Sequence, residues 1–360
     1  MSDSSTPHQA KPKSSVKRYL KYGFQIIVMV AIFAVLLWYV GVNSLYEALL
    51  TIKIEYLILA FLMYFGINLL FTVRIRRVLA KDGIKTAFGK TLLAQYAGML
   101  TSDVTPGRSG YILTPIYLRD QNVPTSKSLS TILGIQTIEF LIKVVGGVGA
   151  VVYLVQTVPM PTWNELFPQA VFGINIGILI AVLGIALMLV GAIVLAAFTW
   201  SHRAISLFDR IANWRFLKRL TGGIMGKLEE YKDSAHSTRQ AIPEILILTL
   251  ACWILKGFEW YFLGLALGIN DIPWLAYFLI HPLVTALAFV PITPAGAGVQ
   301  EFGIIGILGL LGVAVGPAGA FALIARGLLI IEDLIGVPQI VKSASLIFSR
   351  DKSQDTPISA

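Results

Sequence analysis

The residues able to do chemistry in this chain are charged side chains inside otherwise apolar runs: Arg108, Glu139, Lys143, Lys256, Glu259, Glu301, Arg326, Glu332 and Asp333. An ionised group near the centre of a bilayer costs at least about 2.5–3.5 kcal/mol. Each is therefore expected to face a cavity or a partner. Glu139 and Lys143 stand four residues apart, and Lys256 and Glu259 three, so each pair shares a helix face. Such pairs either lock a helix bundle or line a polar path. Arg108 and Arg326 have no carboxylate at helical spacing on the same face. A guanidinium is a planar fork matched to phosphate, and the broken backbone around Arg108 exposes N–H groups that also attract anions. Glu332 and Asp333 read as groups close to the cytoplasmic interface, and His281 as a packing residue. Cys252 is the sole cysteine, which excludes an internal disulfide or a thiolate cluster.

The elements that position these residues are membrane spans. Hydrophobic residues make up 56% of the 360 and charged ones 14%. Several apolar runs exceed the roughly 20 residues that cross a hydrocarbon core. About seven spans are expected, near 22–42, 55–78, 128–157, 170–199, 243–268, 273–292 and 317–341, in an all-α polytopic membrane protein. Residues 1–20 read as a disordered basic tail, 21–345 as the transmembrane domain and 346–360 as a second tail. The apolar run from Phe24 to Val42 is too long for a cleaved signal and reads as a retained anchor. Most of the 29 Lys and Arg fall in 1–22, 74–90, 119–127, 200–241 and 342–360. The positive-inside rule then places both termini in the cytoplasm of a cell-membrane protein. The net charge of +9 is mostly topology rather than a nucleic-acid footprint. The segment 200–241, with an apolar stripe flanked by basic residues, reads as an amphipathic helix on an anionic inner leaflet.

Two stretches interrupt the spans. TSDVTPGRSGYILTPIYLRD, 101–120, leaves and re-enters the same side, which fits a re-entrant hairpin with arms 88–102 and 108–118 meeting at Thr105, Pro106 and Gly107. PITPAGAGVQEFG, 291–303, lies in a second hairpin that enters from the other side. Thr293, Pro294, Gly296 and Gly298 echo Thr105, Pro106, Gly107 and Gly110. Broken backbone at membrane depth is tolerated only inside protein or along a watery cavity. The order span, span, hairpin, span over 22–157 recurs inverted over 170–341, a pattern that points to a binding site between the repeats.

The motifs TPGRSGYILTPIYLRD, PITPAGAGVQE and ALIARGLLIIEDLIG resemble the flippase-like membrane domain of lysylphosphatidylglycerol synthases and their stand-alone relatives, over roughly 20–345. The resemblance highlights Pro106, Gly107, Arg108, Gly110, Pro294, Gly296, Gly298, Glu301 and Arg326. It implies movement of lipids with anionic head groups, with membrane lipids and a lipid-modifying enzyme as expected partners. The chain departs from the family pattern at Tyr111, often acidic there, and at Ala295, often glycine. No cofactor or metal is expected. There is no ATP-binding loop, no H-E-x-x-H and no His/Cys cluster at ligand spacing. Two other classes stay open at this stage, a non-catalytic scaffold for a lipid enzyme and a membrane-embedded transferase. The segment 200–241 is too short to bury a catalytic core of its own.

Overall fold

The computed structural model describes residues 34–105 except 36 and 39, then 108–171, 173–201, 228–288 and 296–354. Most of the expected first span and most of the amphipathic segment 200–241 lie outside the described residues. So do Pro106, Gly107, Thr293 and Pro294.

The chain is all-α. The helices are α1 (Val42–Leu50), α2 (Ile54–Lys81), α3 (Phe88–Asp103), α4 (Thr114–Tyr117), α5 (Thr125–Thr157), α6 (Met160–Leu166) and α7 (Ile176–Trp200). After these come α8 (Leu228–Gln240), α9 (Ile242–Ala266), α10 (Trp274–Ala288), α11 (Val299–Leu310), α12 (Val315–Asp333) and α13 (Val337–Gln354). Among the described residues, four helices are long and apolar enough to cross a membrane: α2, α5, α7 and α9. The most apolar, α7, carries no charge and turns much of its surface outward. Asn175 caps it, its Oδ1 accepting the Gly177 N–H at 2.9 Å.

Three boundaries differ from the sequence reading. Residues 170–175 form a small antiparallel pair, Ala170–Val171 against Ile174–Asn175, and the fourth span begins only at Ile176. The last span stops at Asp333, where a 3-10 turn, Leu334–Gly336, separates α12 from α13. Pro338 near the start of α13 cannot continue the preceding helix, because its ring clashes with the carbonyl four residues back. Helix α13 itself continues to Gln354, into the stretch expected to be a tail.

The first hairpin descends as a 16-residue helix, α3, and returns through a 3-10 turn (Ser109–Leu113), α4 and a second 3-10 turn (Arg119–Gln121). Its return arm is thus a string of short turns rather than the expected helix. Arg108 reverses the chain with φ 56°. That left-handed geometry costs a residue with a side chain about 1–2 kcal/mol. In the second hairpin α10 descends and α11 follows a turn in which Gly296 and Gly298 have φ 68° and 85°. Pro282 interrupts α10 and leaves the Phe278 carbonyl without its helical donor. Trp253 on α9 supplies the donor instead, its Nε1–H reaching that oxygen at 2.7 Å.

Helix α2 lies along α9; α5 packs on α7, and α12 packs on α1. Helix α10 packs on α5, while α3 packs on α12 and the turn that follows it.

Candidate functional site

A cavity of about 500 Å³ lies where both hairpins meet the long helices. Helices α2, α3, α5, α7, α9, α10, α11 and α12 and the return arm of the first hairpin all contribute to its wall. Its apolar lining includes Phe71, Ile112, Phe140, Leu195 and Trp253. The charged lining consists of Arg74, Arg108, Lys143, Lys256 and Arg326 with Glu139 and Glu301.

Each charge is held by a partner. Glu139 takes two cations: Lys143 Nζ at 2.7 Å from the next turn of α5 and Arg74 Nη2 at 2.9 Å from α2. Arg74 also donates to Thr249 Oγ1 at 2.7 Å and lies over the Phe71 ring. Lys256 reaches both oxygens of Glu259 at 2.7 Å, and its ammonium stands 4.7 Å from the centre of the Tyr64 ring. Glu301 sits in the first turn of α11, where the helix dipole favours an anion, and accepts the Gly298 N–H at 2.5 Å. Arg326 pairs with that carboxylate and donates to Gln300 Oε1 at 3.1 Å. Arg108 Nη2 meets Asp103 Oδ1 at 3.1 Å across the tip of the first hairpin. Thr105 ties that tip together, donating to the Thr101 carbonyl at 3.0 Å and accepting the Gly110 N–H at 2.6 Å. A Cβ on Gly110 would stand 2.3 Å from the Thr101 oxygen, so only glycine fits.

The sum of these pairs is uneven. Asp103, Glu259 and Glu301 each neutralise one cation, whereas Glu139 stands between two. The wall formed by α2 and α5 therefore carries an excess positive charge. An anion in the cavity is the partner that such an arrangement favours.

Residues 26–334 match the family described as the lysylphosphatidylglycerol synthase TM region. The chain belongs to this family. It is also similar to a UPF0104 membrane protein of Pyrococcus horikoshii, 22% identical over 306 residues that cover 79% of this chain and 85% of the relative.

Within this member of the lysylphosphatidylglycerol synthase TM family, Arg108, Glu139, Lys143, Lys256, Glu301 and Arg326 all reach one cavity. Glu259 stands behind Lys256 as its counter-ion. Thr105, Gly110, Gly296 and Gly298 shape the two hairpin tips and supply no charge. Arg108 and Arg326, which have no carboxylate at helical spacing on the same face, are held by Asp103 and Glu301. Both partners arrive through a turn or a neighbouring helix, which helical spacing does not describe. Arg74 opens the basic run 74–90 and is 1% exposed. Its signal was the stripe Tyr64, Ile67, Phe71 and Arg74, which continues one helix face without a break. Glu332 and Asp333 are likewise buried within the protein. His281 lies on the cavity wall, where it packs edge-on against Trp260 and shares a 3.3 Å contact with Thr285 Oγ1.

Proposed function

We propose that this chain moves a lipid with an anionic, phosphate-containing head group between the two leaflets of the cell membrane. The observation that carries this reading is Glu139 held between Arg74 and Lys143, which leaves the cavity wall with more cation than anion. A phosphate diester approaching Lys143 completes that balance, with Arg74 fixed behind. Arg108 and Arg326 stand on the hairpin arms at the same cavity, each already paired, and exchange part of that pairing for the phosphate. The volume of about 500 Å³ falls within the roughly 300–1,000 Å³ usual for small-molecule sites. It suits a head group and not two acyl chains, so the tails remain in lipid.

The packing of α2 along α9, with both hairpins at one cavity, supports an inverted repeat of 22–157 and 170–341, with the cavity between the halves. Rocking of one half against the other would then expose the head group to either side alternately. On this reading both termini are cytoplasmic, and the chain works by transport rather than bond making.

Equilibrium binding tests the site directly, because Trp253 and Trp260 line the cavity and report its occupancy by fluorescence. Short-chain phosphatidylglycerol should quench purified protein saturably, and phosphatidylcholine of equal chain length far less. Lys143→Met should weaken the anionic lipid at least about tenfold, since a hydrogen bond to a charged group contributes about 1.5–3 kcal/mol. Equal affinity for both lipids, unchanged in Lys143→Met, would refute the head-group role and favour a scaffold for a lipid enzyme.

A further inference from the structure

Three carboxyl groups outside the ion pairs of α5, α9 and α11 gather where the first hairpin meets the last span. Asp103 ends α3, and Glu332 and Asp333 end α12. Each therefore sits at a helix C-terminus, where exposed carbonyls disfavour a negative charge. Acidic residues belong at the opposite end of a helix, so this placement opposes the usual preference three times over.

The contacts add to the conflict. Asp333 is fully buried and within hydrogen-bonding reach of Asp103. Two carboxyl groups hydrogen-bond only when one carries a proton, because an ionised carboxylate has nothing to donate. Tyr64 on α2 donates to Asp333, 3.1 Å from both of its oxygens, and Tyr96 on α3 donates to Glu332 Oε1 at 2.8 Å. The cations within reach are Arg108, bound to Asp103, and Lys256 of α9, already held by Glu259. Ionisation of all three acids would leave at least one carboxylate without a counter-charge.

An independent observation comes from Asn68. It is 0% exposed, turns its Nδ2 toward Glu332 Oε1 at 3.5 Å, and keeps an Oδ1 without a donor. Asp103 Oδ2 and Glu332 Oε2 are also buried without a donor. The pocket is thus rich in acceptors and short of hydrogen, a deficit that bound protons remove. Among the described residues, no three acidic, histidine or cysteine side chains are placed to hold a metal ion.

We infer that Asp103, Glu332 and Asp333 form a proton-binding site that clamps the first hairpin to the last span. One proton taken from water converts a carboxylate to an acid and closes the Asp103–Asp333 hydrogen bond. Its return to water leaves two carboxylates that repel, and the arm carrying Arg108 separates from α12. Proton binding thereby sets the position of Arg108 at the cavity. The inference does not depend on which lipid, if any, the cavity accepts.

Two measurements on the full chain in nanodiscs test it. Infrared difference spectra across a pH titration should show a protonated carboxyl band in the wild type at neutral pH, sensitive to deuterium and lost at alkaline pH. The same band should be altered in Asp103→Asn and Asp333→Asn. In a Cys252→Ala background, Ser109→Cys should react faster with a thiol reagent as pH rises, after correction for the reagent's own pH dependence with an exposed cysteine at Lys85. Asparagine at 333 imitates the protonated acid and can donate to the Asp103 carboxylate, so Asp333→Asn should fold and hold position 109 at its slow rate throughout; Asp103→Asn also removes the counter-ion of Arg108 and serves the infrared readout alone. A spectrum with no titrating carboxyl band, or labelling at 109 that follows pH equally in wild type and Asp333→Asn, would overturn the proposal.

Discussion

At the scale of single residues, the account turns on one carboxylate shared by two cations. Removing Glu139 as Glu139→Gln leaves Arg74 buried beside Lys143 with no counter-charge. Breaking a buried pair in this way costs about 3–5 kcal/mol, so a large fall in melting temperature in detergent is expected. Lys143→Met leaves Glu139 satisfied by Arg74 and should keep the protein folded while head-group binding falls. Comparable melting losses in both variants would show that Lys143 is structural. Arg108→Lys keeps a charge beside Asp103 but loses the fork, so lipid movement should decline more than stability. Near wild-type movement in that variant would remove Arg108 from the substrate path. The pairs Glu139–Lys143 and Lys256–Glu259 were legible because a helix sets their spacing. Arg108–Asp103 and Arg326–Glu301 were not, because a turn in one case and two helices in the other bring the partners together. Arg74 was hidden by its neighbours Arg76 and Arg77, which are half-buried and exposed where Arg74 is buried.

At the scale of elements, the helix broken by Pro282 depends on a donor from its neighbour. Trp253→Phe keeps the stack on Phe278, whose ring centre lies 4.3 Å away, but strands the Phe278 carbonyl. The expected loss is about 1–3 kcal/mol, the cost of an unsatisfied buried group. Pro282→Ala restores the helical donor at position 282, so the double variant should recover much of that loss. A thermal-melting cycle in detergent measures the coupling, and simple additivity of the two changes would refute it. In the first hairpin, Gly110→Ala drives a methyl into the Thr101 carbonyl and should displace the tip, lowering both stability and lipid movement. Both hairpins were readable from the clustered Pro and Gly at 105–110 and 293–298. The 3-10 break at Leu334–Gly336 also left a signal, Gly336 followed by Pro338, which ends a helix in the usual way. Apolar residues continuing across it concealed that signal in a reading based on hydropathy.

At the scale of the whole molecule, the inverted-repeat reading fixes which connections face which side. In a Cys252→Ala background, an exposed cysteine at Lys85, between α2 and α3, should react with an impermeant reagent only from the cytoplasm. One at Asp271, between α9 and α10, should react only from outside. Reaction of both from one side would exclude opposed halves. The all-α membrane character was plain from composition, whereas the convergence of both hairpins on one cavity required the packing of α2 on α9, which no local pattern encodes. The most direct test of the central claim is lipid movement per folded molecule in vesicles that carry head-group-labelled phosphatidylglycerol or phosphatidylcholine, followed with an impermeant quencher. The account predicts that wild-type protein carries labelled phosphatidylglycerol across faster than phosphatidylcholine, and that Lys143→Met, folded and incorporated equally, slows it at least several-fold. Movement no faster than in protein-free vesicles, or equal movement of both lipids by wild type and Lys143→Met, would contradict it.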